Sequence, residues 1–187
     1  MTADIDPTHE HLTWETFGSA TRELARHIYG SGYRPDVVVA IARGGLLPAG
    51  AIAYALGVKT CGSLNVVFYA DIEHATPEQL PEPEVLPPLL DTDSLQGKKV
   101  LLVDDVVDSG RTMQLAVDLL RGRGAEVRSV TIYTKPTTII RPDFAWRDTG
   151  KWIDFPWSSH GPVSESEAET ETADDDRSQP EGTPIPA

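Results

Sequence analysis

Two adjacent carboxylates, Asp104 and Asp105, stand at the end of the apolar run Val100-Leu101-Leu102-Val103, and Asp108-Ser109-Gly110-Arg111-Thr112 then turns into a stretch of helical period. A strand that ends in a turn and a helix is a place where α/β proteins bind ligands, at the carboxyl end of the strand. The first turn of the helix offers unpaired N–H groups and a partial positive charge. With Gly110 in the turn and hydroxyls from Ser109 and Thr112, those donors can wrap a phosphate monoester. Carboxylates repel such a group, so their presence needs a reason. Neutral ribose hydroxyls are one, and a hard cation such as Mg²⁺, which takes oxygen ligands and bridges to phosphate, is another. The plainer alternative is an acidic surface turn after a strand, with Thr112 as a helix cap.

A second segment of the same kind lies upstream. Ala42-Arg43-Gly44-Gly45 follows the β-branched run Val37 to Ala42. Its glycines permit close approach of backbone to an anion, and Arg43 brings a fixed charge with several donors. Alone, such a turn is an ordinary strand–helix connection.

Periodicity supplies the elements that must hold these segments. Trp14, Phe17, Thr21, Leu24 and Ile28 mark one face of a helix from about Trp14 to Tyr29, with Thr13 as N-cap and Gly30 and Gly32 at its end. Val37 to Ala42 reads as a buried parallel strand and Leu46 to Leu56 as a helix closed by Gly57. Thr60 to Tyr69 and Lys98 to Asp104 are further strands. A helix from Ser109 or Gly110 to about Arg121 and a strand over Val127 to Thr134 follow. The alternation implies an α/β fold with a central, mostly parallel sheet flanked by helices. Residues 71–94 carry five prolines and little periodicity, which reads as a long flexible loop, either a lid or an insertion.

The 187 residues, 40% hydrophobic and 24% charged, suit one domain with a real core, which we bound at residues 1–160. Residues 161–187 hold eight acids against the single base Arg177 and read as a disordered acidic tail. A net charge of −13 argues against nucleic acid as a partner, since phosphate contacts need Lys and Arg. No apolar stretch is long enough to span a bilayer, and the polar start, Met1 to Glu10, lacks the pattern of a secretion signal, so a cytoplasmic location is expected. Cys61, the single cysteine, allows no internal disulfide and is expected to be a small packed residue. His9-Glu10-His11 could suggest a metal site, but its place near the terminus, without further ligands in view, reads as a solvated end.

The run Val100 to Thr112 closely resembles the phosphoribosyl pyrophosphate motif of type I phosphoribosyltransferases, and Ala42-Arg43-Gly44-Gly45 resembles their pyrophosphate loop. The resemblance spans roughly Trp14 to Trp157 and implies the type I phosphoribosyltransferase fold. It implies that Asp104 and Asp105 hold the ribose hydroxyls and an associated Mg²⁺, and that Asp108, Ser109, Gly110, Arg111 and Thr112 form the 5-phosphate loop. Arg43, Gly44 and Gly45 would meet the pyrophosphate. Residues 135–160 would form a small hood over the base. There, Lys135-Pro136 and Trp152-Ile153-Asp154-Phe155-Pro156-Trp157 are similar to 6-oxopurine phosphoribosyltransferases, above all the bacterial xanthine–guanine enzymes. Pro142-Asp143-Phe144 is similar to the hypoxanthine–guanine enzymes. The resemblance further implies a homodimer or homotetramer.

On this reading Trp152 stacks on a purine, Lys135 donates to its O6, and backbone groups of Ile153 and Asp154 meet the 2-substituent. Asp108, between the phosphate site and the base, is the candidate general base. Trp152 as a core aromatic and Lys135 as a solvated strand-end cation are the alternatives, and Trp146 and Trp157 are expected to be packing residues. Two other functions fit the same cradle: a ligand-sensing regulator that has kept the fold without catalysis, and a phosphoribosyltransferase for another base.

Overall fold

The computed structural model describes residues 6–68, 83–89 and 95–164. Eleven elements follow in chain order: β1 (His9–His11), α1 (Trp14–Gly30), β2 (Val37–Ala42), α2 (Leu46–Leu56), β3 (Cys61–Phe68), β4 (Pro83–Leu89), β5 (Lys99–Val107), α3 (Arg111–Gly122), β6 (Glu126–Thr134), β7 (Phe144–Asp148) and β8 (Trp152–Asp154). Six strands form one sheet in the order β4-β3-β2-β5-β6-β7, while β1 and β8 form a separate two-stranded sheet. Every neighbouring pair in the large sheet is parallel except β3 with β4. The expected mostly parallel α/β sheet is therefore present.

Alternation of side chains along β2 and β5 builds two cores. Val37, Val39 and Ile41 with Val100 and Leu102 face α3, where they meet Met113, Ala116, Val117 and Leu120. Val38, Ala40, Leu101 and Val103 face the other way, onto Leu24 and Ile28 of α1 and Ala49, Ile52 and Ala53 of α2. Burial of each large aliphatic side chain contributes about 1.5–3 kcal/mol. A third cluster joins Leu12, Phe17, Ile132, Tyr133, Ile153 and Phe155, and anchors the small sheet to α1 and β6. Trp157 stacks on Phe155 at 4.9 Å and Trp146 meets Tyr133 edge-on at 5.7 Å, so both pack as expected.

This layering fixes where a ligand can sit. The chain leaves β2 through α2 on one face of the sheet and leaves β5 through α3 on the other. Between β2 and β5, which are direct neighbours with Ala40 opposite Val103, the connections diverge and open a crevice at the strands' carboxyl ends.

Three differences from the sequence reading have physical causes. Residues 83–89, expected to be loop, form strand β4 at the edge of the sheet. Proline lacks the N–H that a central strand needs, but an edge strand leaves one side unpaired. The β3–β4 register shifts where Pro87 and Pro88 pass, between the pairs Asn65–Leu86 and Ser63–Leu89. Residues 69–82 and 90–94, the rest of the expected loop, lie outside the described residues, as do residues 165–187 of the expected tail. Second, His9–His11 is not a free end but a strand paired to Trp152–Asp154. Third, Cys61 is exposed, because it opens β3 beside a surface groove lined by Gly57, Val58 and Lys59. Among the described residues no helix is long and apolar enough to cross a membrane.

Candidate active site

Strand β5 delivers the carboxylates. Asp104 is 9% exposed, and its Oδ1 accepts from the Asp105 amide at 3.0 Å. Asp105 Oδ1 accepts from the Val106 amide at 2.7 Å. Burial pushes the Asp104 carboxyl well above the ordinary range, and the neighbouring Asp105 charge adds to the push. Burial raises Asp105 as well. Two desolvated acids side by side are poor company for each other unless a hydroxyl or a cation comes between them and the solvent. An all-oxygen donor pair of this kind fits a hard divalent ion.

After β5 the chain turns through Asp108 and Ser109 to Gly110, which sits at φ +82° and begins α3 as its N-cap. Glycine is required there twice over. The conformation is left-handed, and a Cβ would lie 2.5 Å from Thr138 Oγ1 and 2.8 Å from Ile140 Cγ2. A cavity of about 190 Å³ opens over this turn, lined by Asp104, Val107, Asp108, Ser109, Gly110 and Thr112 among others.

The turn after β2 lies beside the other carboxylate, Asp105. The Ala42–Arg43 peptide is cis, and Gly45 begins α2 as its N-cap. A Cβ on Gly44 would fall 2.0 Å from Asp105 Oδ2, so this turn lies directly on the carboxylate. A Cβ on Gly45 would fall 2.5 Å from the Val103 carbonyl and 2.6 Å from that of Ile41. Both obstacles are backbone and cannot swing away. Gly45→Ala is therefore expected to destabilise the fold by about 3 kcal/mol, read from urea midpoints. Gly18→Ala, on α1 with open space around it, serves as the control and should be neutral or slightly stabilising.

The helices differ in how they start. On α1, Thr13 caps with its hydroxyl, which accepts from the Thr16 amide at 3.1 Å. Neither α2 nor α3 has a side-chain cap, and both begin on glycine. A capping side chain would occupy the same amides that an anion needs, but on α2 the Gly45 and Leu46 amides already donate to the Ile41 and Arg43 carbonyls and Pro48 has no N–H, so it is the start of α3 that is left to donate.

The segment after β6 closes over the turn. The Ile139 amide donates to the Ser109 carbonyl at 3.0 Å, the Lys135 amide to the Val107 carbonyl at 2.9 Å, and Thr137 Oγ1 to Asp108 Oδ1 at 3.3 Å. Lys135 Nζ donates to the Lys151 carbonyl, which holds its ammonium at the residue preceding Trp152. Trp152 is 69% exposed and, among the described residues, makes none of the ring contacts that tie Trp14, Trp146 and Trp157 into the fold. It is not a core aromatic. Ile153 is buried, and Asp154 hydrogen-bonds His9 and pairs with His11.

Asp104, Asp108, Ser109, Gly110 and Thr112 thus share one cavity, while Gly44 lies against Asp105 and Gly45 against the Val103 and Ile41 carbonyls. Arg111, although adjacent in sequence, starts α3 exposed and lies outside the cavity lining. Sequence reasoning missed Thr137, Thr138 and Ile140, which touch or wall the phosphate turn, and the two histidines on Asp154. The Thr137 hydroxyl carried no local signal, since its partner Asp108 lies far upstream, and Thr138, which hydrogen-bonds locally to Ile140, shows nothing in sequence of its place over Gly110.

Comparison with known proteins agrees with this geometry. Residues 8–162 match the family described as the phosphoribosyl transferase domain. The chain is 34% identical over 152 residues to a xanthine-guanine phosphoribosyltransferase of Idiomarina loihiensis, covering 80% of this chain and 86% of that protein. It is 31% identical to one of Cereibacter sphaeroides, covering 79% and 85%. A purine phosphoribosyltransferase structure from Pyrococcus horikoshii superposes with a TM-score of 0.70 at 32% identity, over 84% of this chain and 98% of that one. With its paired carboxylates, uncapped helix starts and glycine turns set in that fold, the chain belongs to the phosphoribosyltransferase family, a family of pentosyltransferases.

Proposed function

We propose that the protein transfers the 5-phosphoribosyl group of phosphoribosyl pyrophosphate to a 6-oxopurine, namely xanthine, guanine or hypoxanthine, as a purine-salvage enzyme of the cytoplasm. The observation that carries the base assignment is the Lys135 ammonium held at the Lys151 carbonyl beside the exposed Trp152. A cation and an open aromatic face, set against the Asp108 turn, suit a flat ring with an exocyclic oxygen. The names of the 31–34% identical relatives support the same class.

In this mechanism the α3 amides, with Ser109 and Thr112, hold the 5-phosphate, and Asp104 and Asp105 hold the ribose hydroxyls. Arg43 and the backbone at Gly44 and Gly45 hold the pyrophosphate as it leaves from C1. Asp108 accepts the proton that the purine nitrogen sheds as it attacks. Lys135 donates to O6, Trp152 stacks, and the backbone of Ile153 and Asp154 reads the 2-substituent. Mg²⁺ held at Asp104 and Asp105 would supply charge neutralisation on the departing pyrophosphate. A homodimer or homotetramer belongs to the same reading. Its support is α2, apolar all round, with Leu46, Leu47 and Tyr54 exposed.

An activity panel tests the function. The protein is incubated with phosphoribosyl pyrophosphate, Mg²⁺ and each free base, and nucleotide is assayed. Product with one or more 6-oxopurines and none with adenine or pyrimidines is expected. Product with adenine or a pyrimidine instead would overturn the base assignment, and no product with any base would make the chain a ligand-sensing regulator.

A further inference from the structure

The small sheet holds a cluster that the reaction above does not use. His9 Nδ1 and His11 Nδ1 lie 2.8 and 2.9 Å from the same carboxylate oxygen, Asp154 Oδ2. Asp6 approaches His9 Nε2 from the far side at 3.9 Å. Among the described residues no group of three such side chains is disposed to hold a metal ion, and the contacts are a hydrogen bond from His9 and a close charge pair with His11.

Its place matters because of what β8 carries. Trp152 and Asp154 are two residues apart on one strand and therefore project from the same face, while Ile153 projects into the core. His9 pairs with Trp152 and His11 with Asp154 in the ladder, so both rings stand on that same face. Strand β8 has three residues and, among the described residues, β1 as its one ladder partner. A ladder of that length is marginal without further ties. Ile153 and Phe155 seat it in the core, and around them Leu12 donates to the Asp154 carbonyl at 3.0 Å, Glu10 pairs with Arg147 at 3.2 Å on the opposite face, and His9 hydrogen-bonds and His11 pairs with Asp154. Only the last lies on the face from which Trp152 projects. With most of its ring exposed, Trp152 is aimed by its strand rather than by packing.

We propose that His9 and His11 are positioning residues for the base: acting through Asp154, they fix β8 so that Trp152 and the Ile153–Asp154 backbone meet the purine. The inference rests on the 6-oxopurine reading and deepens it. It also makes a separable statement, because the groups assigned to phosphoribosyl pyrophosphate hang on β2, β5, α2 and α3 of the large sheet, and β1 and β8 belong to the small one.

The test is steady-state kinetics of the full-length chain with both substrates varied. The double variant His9→Ala, His11→Ala should raise the KM for the purine by about tenfold, the scale of losing hydrogen bonds to a charged acceptor. The KM for phosphoribosyl pyrophosphate and kcat at saturating purine should stay within about twofold, a split expected when only base binding is disturbed. The double variant His9→Asn, His11→Asn places an amide nitrogen near each Nδ1 and should recover most of the lost purine affinity. An unchanged purine KM would overturn the inference. So would an equal loss on both substrates with a lowered melting midpoint, because that describes a strand needed only for folding. A wild type that makes no nucleotide from any 6-oxopurine removes the substrate reading and the inference with it. An active wild type with indifferent histidine variants removes the inference alone.

Discussion

Asp108→Asn is expected to lower kcat for nucleotide formation by about a hundredfold to ten-thousandfold, while phosphoribosyl pyrophosphate still binds. The substitution keeps the size and planarity of the side chain. It also keeps an oxygen to accept the Thr137 hydroxyl, 3.3 Å away, so the turn should hold its shape. What disappears is the capacity to take up a proton. Asp108 is suited to that role by its place. It is the first residue after β5, exposed to the cavity that Asp104, Ser109, Gly110 and Thr112 line, and linked through Thr137 to the segment that runs on from Lys135. Binding measured by calorimetry and turnover measured at saturating substrates separate the two effects. Near-normal turnover would reduce Asp108 to a turn residue. Weakened binding of phosphoribosyl pyrophosphate in proportion to the lost rate would instead make it part of the phosphate loop alone.

The parts of the site that sequence made visible are those that local structure builds. Val37–Ala42 and Leu46–Leu56 fall where the β-branched run and the glycines at 44, 45 and 57 indicate, because such runs have one way to be buried. The acids and the phosphate turn were legible for the same reason, being contiguous along strand, turn and helix. Even there β5 outruns the reading: it continues to Val107, since its ladder with β6 runs on to the pair Val107–Thr134. The hood was legible only as a resemblance. Strands β7 and β8 have five and three residues, too few for a period to show, and their partners come from distant parts of the chain. His9 finds Trp152 across 143 positions, and nothing in His9-Glu10-His11 says so. Strand β4 was hidden by its prolines, which signal loop everywhere except at a sheet edge.

Asp104→Asn should move stability and activity in opposite directions. The Asp104 carboxyl is buried at the end of β5, and both that burial and the Asp105 charge favour its protonated form. Its folded-state pKa therefore lies above the unfolded value of 3.8. Between those two values the folded state binds more protons than the unfolded chain, so stability falls as pH rises. The contribution is fully present in acid, below the ordinary carboxylate range, and is lost once pH has passed the raised folded value. At neutral pH the unliganded protein then carries an ionised or shared-proton pair in a site with few donors. Asparagine removes the charge and can still accept from the Asp105 amide, which now reaches Asp104 Oδ1 at 3.0 Å. The unliganded variant should melt about 5 °C above wild type at neutral pH, corresponding to about 1–2 kcal/mol in a chain of this size. The gap should close as the buffer is made acidic, because wild type then neutralises the same group by protonation. Transfer activity should fall by about a hundredfold or more, since the ribose hydroxyls and any divalent cation lose the acceptor they need. Thermal melts across a pH series, with and without Mg²⁺ and phosphoribosyl pyrophosphate, read all of this together. Added ligand should raise the wild-type midpoint well above the variant's response, because ligand binding offsets the cost of the buried charge in wild type alone. A variant that melts below wild type at neutral pH would mean that the ionised carboxylate is itself held by the fold, and the strain assigned to the pair would have to be given up.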